Sequence, residues 1–483
     1  MNLDVINQIH TPGAYREHRY ALYARTQGRA RVAPSFGLAF GRRQPSVAAA
    51  QARTRWQALQ AVMVRHGRAA GKNVEGRPGL PWPVALSVPL LVLRAVKALS
   101  ARQREEYLSE NVVARLFLGL AEHLLPHLRD HASIARAQAA LGRAGWQQVN
   151  HLVVTEAVRL GFGKPQLLSS DTTVQEPQIG YPHEAGILRG IAQRVYRAAV
   201  KLQKRGSPQA HSAIEKAKEI FGRVKDYHLF AKTKPAKDQG LKQILRHSKH
   251  LLSRSKQLIK QVGAASTKAV QAAVAKLQQM AAVSGVLLPQ IEQWMKTGKV
   301  ARQKILHPGI TQARSIVKKS AGKKVAFGLK WLINRIAGGY IFGKVVDARA
   351  DESKMPLEAL QNYRAVFGEQ ASPEMAVYDR GGSCAETVEK LQQAGVKKVG
   401  IQPAGKAPWY VAAADQKEVG SQRGQTEGSI GTLKSGKYDF QGGRQRSNES
   451  LQAAGQGAMV CMNLVNLMRD IVEKDRKTTV AVV

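Results

Sequence analysis

EMAVYDRGGSCAETVEKLQQAGVKKVGIQP, residues 374–403, holds three consecutive elements in thirty residues. Its apolar opening, Met375 to Tyr378, is short enough for a buried strand and ends at Asp379 before an Arg-Gly-Gly turn. Residues 385–395 carry apolar positions at helical spacing and stop at Gly395, and 397–403 form a second short apolar run. The pattern predicts strand, helix, strand. Asp379 then lies at the carboxyl end of a strand, where ligands of open α/β sheets gather. Working outward, KKVAFGLKWLI (323–333) and GGYIFGKVVDARA (338–350) alternate between glycine boundaries and predict paired strands, and LEALQNYRAVFG (357–368) predicts a helix. A helical region from about Gly420 to Val472 follows. Paired strands followed by alternating strands and helices predict a mixed α/β layer.

Charge divides the chain differently. The 483 residues include 74 Lys or Arg and 34 Asp or Glu, a net charge of +40. Between Ala185 and Lys344 stand 33 of the basic residues and only 5 of the acidic ones. That segment is rich in Ala, Lys, Gln and Leu, with runs such as SAIEKAKEIFGRVKDYHLFAK (212–232), and predicts an all-helical unit with a basic face. A purely solvated surface explains so lopsided a ratio poorly, whereas contact with a phosphate backbone explains it directly. Nucleic acid is the expected partner, with DNA and RNA both open for this segment. Upstream, the N-terminal region from residue 1 to about 160 firms into helical pattern after Ser100, as in EEYLSENVVARLFLGLAEHLL (105–125). It reads either as a helix-turn-helix-like DNA reader or as plain scaffold.

Cys384 and Cys461 are the only two cysteines, too few for a disulfide framework or a thiolate zinc site, and fit a reducing cytoplasm. The most apolar run, Val84–Leu93, spans ten residues and contains Pro89, short of the roughly 20 apolar residues a membrane helix needs. No membrane partner is expected. The sequence from Met1 to Tyr15 lacks the charged and apolar regions of a secretory signal, so export is not expected either.

Three carboxylates stand where chemistry is expected. Asp171 follows PQLLSS (165–170) on or just after a strand, and Asp379 closes the AVYD strand. Glu427 lies in SQRGQTEGSIGTLKSGKYDF (421–440), where Arg423, Glu427 and Lys434 fall at helical offsets of four and seven on one face. Carboxylates from two strands and a helix suit a pair of hard divalent cations, which stabilise both the attacking and the leaving oxygen of a phosphodiester. Arg423 and Lys434 are then candidates for holding the phosphate, and Arg380 for orienting Asp379 or touching phosphate. Trp409 reads as a base-stacking residue or, more simply, as a buried aromatic. His183 reads as a residue approaching the active site or, more simply, as loop scaffolding, and Asp347, Asp351 and Glu352 as facing solvent. Cys384 has no histidine near it in sequence and is not expected to act as a nucleophile.

Four stretches together resemble the DDE transposases of bacterial insertion sequences: SSDTTVQEPQIGYPHEAGIL (169–188), AVYDRGG (376–382), RGQTEGSIGTLK (423–434) and VCMNLVNLMR (460–469). The spacing from Arg423 through Glu427 to Lys434 matches most of a signature of one large division, which places a tyrosine where this chain has Gly420. The resemblance implies an RNase H-like catalytic core with Asp171, Asp379 and Glu427 as its catalytic, metal-binding acids. It implies two Mg²⁺ ions, with Mn²⁺ able to substitute. The core would comprise 161–190 and 306–472, interrupted by an all-α basic insertion at 190–305 between the first and second acids, with a flexible tail at 473–483. The chemistry implied is hydrolysis at the terminal inverted repeats, then attack of the freed 3′-hydroxyl on target DNA, by a homodimer or higher oligomer on DNA in the bacterial nucleoid. An inactive or domesticated DNA-binding relative, and an RNase H-like nuclease or resolvase without strand transfer, are the alternatives.

Overall fold

The computed structural model describes Leu93, Leu99, residues 101–111, 141–262, 267–317, 325–403, 405, 407–443 and 445–480. Most of the expected N-terminal DNA-binding region therefore lies outside the described residues. Of it, the structure gives α1 (Ala101–Glu110) and α2 (Gly142–Arg159). The chain continues as β1 (Lys164–Gln175), α3 (Glu184–Gln203), α4 (Ala210–Phe230), α5 (Lys234–Val262) and α6 (Lys268–Thr297). Then come β2 (Arg314–Val317), β3 (Val325–Ala337), β4 (Ile341–Val346), α7 (Met355–Phe367), β5 (Met375–Tyr378), α8 (Ala385–Gln393), β6 (Lys398–Ile401), α9 (Ala413–Lys434) and α10 (Asn448–Val480).

The six strands form one mixed sheet in the order β2-β3-β1-β5-β6, with β4 also pairing β3. β3 runs antiparallel to β1, β2 and β4, whereas β1, β5 and β6 run parallel. The hairpin from β3 to β4 turns on Gly338 and Gly339, at φ of 94° and 85°. A side chain at Gly338 would also strike the Phe162 carbonyl at 2.1 Å, so glycine is required there twice over. The expected mixed α/β layer is thus present, flanked by helices on both faces.

Strand alternation decides which helix meets which face. Along β5, Ala376 and Tyr378 join the core built with α2, α7, α8 and α10, whereas Met375 and Val377 join Leu167 and Val419 under α9. A further core forms where Trp331, Ile333 and Ile341 meet Ile430, Leu433 and α10. Buried amides fasten α10 to the sheet. Asn463 Nδ2 donates to Asn150 Oδ1 at 2.8 Å and to the Ile341 carbonyl at 2.6 Å, and its Oδ1 accepts from the Ile341 amide at 2.9 Å. The asparagine of VCMNLVNLMR is therefore a structural clasp, because a buried amide so fully satisfied fixes one packing of helix on strand.

The basic segment behaves as its composition predicts. On α5, Leu241, Ile244, Leu245, Ser248, Leu251, Ser255 and Leu258 are buried at spacings of one to four residues, with lysines and arginines on the opposite side. These side chains and the apolar stripes of α3, α4 and α6 make one core of their own, joined by Ile305. Two boundaries differ from the sequence reading. The helical region expected from about Gly420 to Val472 starts earlier, at Ala413, and consists of two helices, α9 and α10, parted around Gly442, at φ 69°. Residues 473–480, expected as tail, continue α10.

Candidate active site

β1 is paired in parallel with β5 so that Ser169 lies opposite Val377. Two residues farther along each chain come Asp171 and Asp379, both on the side that alternation assigns to α9. β5 ends at Tyr378, so the carboxylates emerge where the sheet opens. Helix α9 crosses this face of the sheet. Thr426 Oγ1 donates to Ser169 Oγ at 2.6 Å, and Arg335 of β3 donates from Nη1 to Gln422 Oε1 at 3.1 Å and from Nη2 to Gln425 Oε1 at 2.5 Å. Glu427 follows Thr426 directly. The fold thus gathers three acids that are 208 and 48 residues apart in sequence.

Electrostatics report the same convergence. The Asp171 carboxyl is pushed up to about 6, chiefly by burial, with Asp379, Glu427 and Glu352 adding to the shift. Opposing them, the Thr172 amide donates to Asp171 Oδ1 at 2.6 Å. Asp379 Oδ1 accepts from the Gly381 amide at 2.9 Å, capping the single turn Arg380–Gly382. Glu427 is exposed, with Oε1 3.6 Å from Arg423 Nη2. So Arg423 leans on the acid beside it, in a solvent-facing pair of small energetic weight.

Among the described residues, no three His, Cys, Asp or Glu side chains close into a preformed metal-ligand set. The carboxylates sense one another through space, yet their oxygens are engaged locally with Thr172, Gly381 and Arg423. Their chemistry fits hard cations: all are oxygen donors, with no thiol or imidazole among them. Burial raises the Asp171 carboxyl most, and its acidic neighbours raise it further; a divalent ion bound there would favour the ionised form.

The other sequence candidates fall as follows. Lys434 is half-buried in the last turn of α9, and Arg380 is exposed immediately after Asp379. Trp409 is half-buried and packs against the Leu167, Met375, Val377 and Val419 cluster, so it supports the seat of α9. His183 caps α3, its Nδ1 accepting from the Gly186 amide at 3.0 Å, and its ring meets His228 edge-on at 5.1 Å. Asp347 and Asp351 are exposed and accept from the Arg349 and Ser353 amides.

Glu352 departs from the solvent-facing role expected of it. Its Oε2 accepts from Lys330 Nζ at 2.6 Å, and its Oε1 from the Tyr378 hydroxyl at 2.9 Å and the Thr172 hydroxyl at 3.3 Å. Lys330, Tyr378 and Thr172 come from three strands, and each stands one strand position from the α9 face, so Glu352 closes the underside of the sheet beneath Asp171. Sequence reading missed it because no local pattern marks an acid whose partners are 22, 26 and 180 residues away. The one available signal was Lys330, a charged residue inside the apolar KKVAFGLKWLI run.

Comparison with protein-family models, with curated proteins and with solved structures gives no match. The functional reading therefore rests on the residues themselves.

Proposed function

We propose that this chain is a metal-dependent DNA transposase whose sheet and flanking helices are an RNase H-like catalytic core. The observation that carries the reading is the meeting of Asp171, Asp379 and Glu427 from two neighbouring strands and the helix laid across them. The strand order supports it too, with a long antiparallel strand beside the strand of the first acid and parallel strands on its other side. In this reading α3–α6 are an all-helical insertion between the first and second acids, and their basic surface contacts nucleic acid.

Asp171, Asp379 and Glu427 would hold two Mg²⁺ ions, or Mn²⁺ in their place. Bound there, the ions supply Lewis-acid stabilisation of the attacking and leaving oxygens of an in-line phosphoryl displacement. The protein's own residues prepare the site. The Thr426–Ser169 hydrogen bond and the Arg335 contacts fix α9, and hence Glu427, against the strand of Asp171. The Gly381 amide aims Asp379. Glu352 neutralises Lys330 beneath the sheet. Arg423, released from Glu427, and Lys434 would steady the phosphates flanking the scissile bond. Water in the first step and a DNA 3′-hydroxyl in the second occupy the same nucleophile position, so no covalent protein intermediate is needed. Two DNA ends held at once imply a dimer or higher oligomer, and the substrate places the protein at the bacterial nucleoid. No helix among the described residues is long and apolar enough to cross a membrane.

The test is cleavage and joining of a labelled element-end duplex with Mg²⁺ or Mn²⁺, comparing wild type with Glu427→Gln. Nicked and joined products that vanish in the variant would establish the activity. Nicking without joining would favour a nuclease, and binding with neither would favour a DNA-binding relative.

A further inference from the structure

Three separate segments close on Gly309. A Cβ there would stand 2.3 Å from the Arg446 carbonyl oxygen and 2.5 Å from Nη2 of Arg194, so only glycine lets α3, the connection before β2 and the loop before α10 meet this closely. Arg194 Nη1 donates to the Gly190 carbonyl at 3.2 Å, which holds the guanidinium against this seam. His307 spends Nδ1 accepting from the Gly309 and Ile310 amides, at 3.3 and 3.2 Å, and so has its other ring nitrogen to offer a partner.

Among the described residues, the charges that Arg194, His307 and Lys276 sense at the seam are all cationic. Arg194 senses Arg197 and Arg446, His307 senses Arg194 and Arg446, and Lys276 of α6 senses Arg194. Among the described residues, Arg194, Arg197, Lys276 and Arg446 form no ion pair with a carboxylate, and Lys276 Nζ donates instead to Gln279 Oε1 at 2.6 Å. The part-buried Arg194 guanidinium has no counter-charge, which is costly, and an anion with several oxygens bridging it to the exposed Arg446 offsets that cost.

We propose that Arg194, Arg446 and His307 form a phosphate-binding site at the seam between the helical bundle and the sheet, and that it takes a backbone phosphodiester of duplex DNA. Two observations select a polymer over a free phosphate. Arg194, Arg197 and Lys201 of α3 and Lys204, its C-cap, recur at offsets of three, seven and ten, a cationic stripe on one face roughly 15 Å long. The site is also continuous with the strand of Asp171. Gln441 Oε1 accepts from the Glu176 amide at 2.7 Å and its Nε2 donates to the Val174 carbonyl at 2.6 Å, so the loop that delivers Arg446 is pinned to the end of β1. A duplex gripped here is anchored to the strand that carries the first acid. The choice of DNA rests on the function proposed above.

The test uses the wild-type full-length chain in EDTA. Phenylglyoxal modification followed by mass spectrometry should show Arg194 and Arg446 protected by a mixed-sequence duplex. Protection by inorganic phosphate at matched ionic strength but not by duplex would overturn the assignment in favour of a small-anion pocket, and protection by single-stranded RNA but not by duplex DNA would overturn the choice of DNA. In binding titrations, Arg446→Gln should weaken duplex affinity several-fold and lower the slope of log K against log salt by about one, the value of one lost phosphate contact, while Arg446→Lys keeps the slope. An unchanged slope in Arg446→Gln would sink the proposal. Neither readout needs metal or cleavage. A chain that binds here but never cuts refutes the transposase reading alone, and one that cuts with Arg446 unprotected refutes this site alone.

Discussion

The Thr426 hydroxyl donates to the Ser169 hydroxyl at 2.6 Å across a buried interface, and this bond clips the helix of Glu427 to the strand of Asp171. Each partner is one or two residues from an acid. Ser169 is 1% exposed and Thr426 2%, so water has no access to replace the bond. Thr426 Oγ1 also lies 3.0 Å from the Gln422 carbonyl of its own helix, which limits the rotamers open to it.

Thr426→Val keeps the shape and removes the donor, leaving the Ser169 oxygen short of a partner. Stability should fall by about 1–2 kcal/mol in denaturant titration. Cleavage should fall by more than tenfold, because Glu427 loses its fixed placement, and Thr426→Ser should restore most of it. Equal activity of Thr426→Val and wild type would mean that this bond does not set the acid's position.

Asp171→Asn, Asp379→Asn and Glu427→Gln should each abolish nicking and joining while shifting the duplex dissociation constant by less than about threefold. Gel assays with Mn²⁺ and titrations in EDTA separate the two effects. Full activity in any one variant removes that residue from the site.

The raised Asp171 carboxyl links the site to stability. A folded-state value of about 6, above the ordinary 3.8, contributes stability below pH 3.8 that is lost as pH rises through 6. At pH 7 to 8 the ionised form is therefore a liability, and Asp171→Asn should raise stability there by about 1–2 kcal/mol. Thermal melts at pH 4 and pH 8 check the sign, with the gain shrinking at the lower pH. A variant less stable than wild type at pH 8 would contradict a carboxylate made costly by burial and by its acidic neighbours.

Lys330 is 9% exposed at its side chain and pairs with Glu352 beneath the sheet. Glu352→Gln should destabilise the fold by about 3 kcal/mol, since it strands a buried ammonium. Lys330→Met combined with Glu352→Gln should recover most of that loss. A double-mutant cycle in urea measures the coupling, and additive losses would argue that the two side chains act independently.

Lys234, Lys237, Lys242, Lys256 and Lys260 are exposed along α5, away from its buried stripe. Replacing all five with Gln should leave the melting temperature within a few degrees of wild type and flatten the salt dependence of duplex binding. An unaltered slope would take α5 out of the nucleic-acid interface.

By itself the sequence determined the local elements. The alternation at 323–350, the strand-helix-strand run at 374–403 and the 3.6-residue stripe of α5 are each set by neighbours within a few residues, and periodicity records such neighbours faithfully. It also marked Asp379 as a strand-end acid and placed Arg423, Glu427 and Lys434 on one helix. Tertiary structure alone decided the remainder. The register of β1 on β5 brings Asp171 beside Asp379, and Glu352 turns inward because Lys330, Tyr378 and Thr172 converge on it from three strands. Arg194 meets Arg446 only because Gly309 lets three segments close. These contacts span from 22 to about 250 residues, and a charge or hydroxyl carries no local sign of a partner so far along the chain. Burial and pairing are properties of the assembled sheet and its helices, so they appear only once the chain has folded.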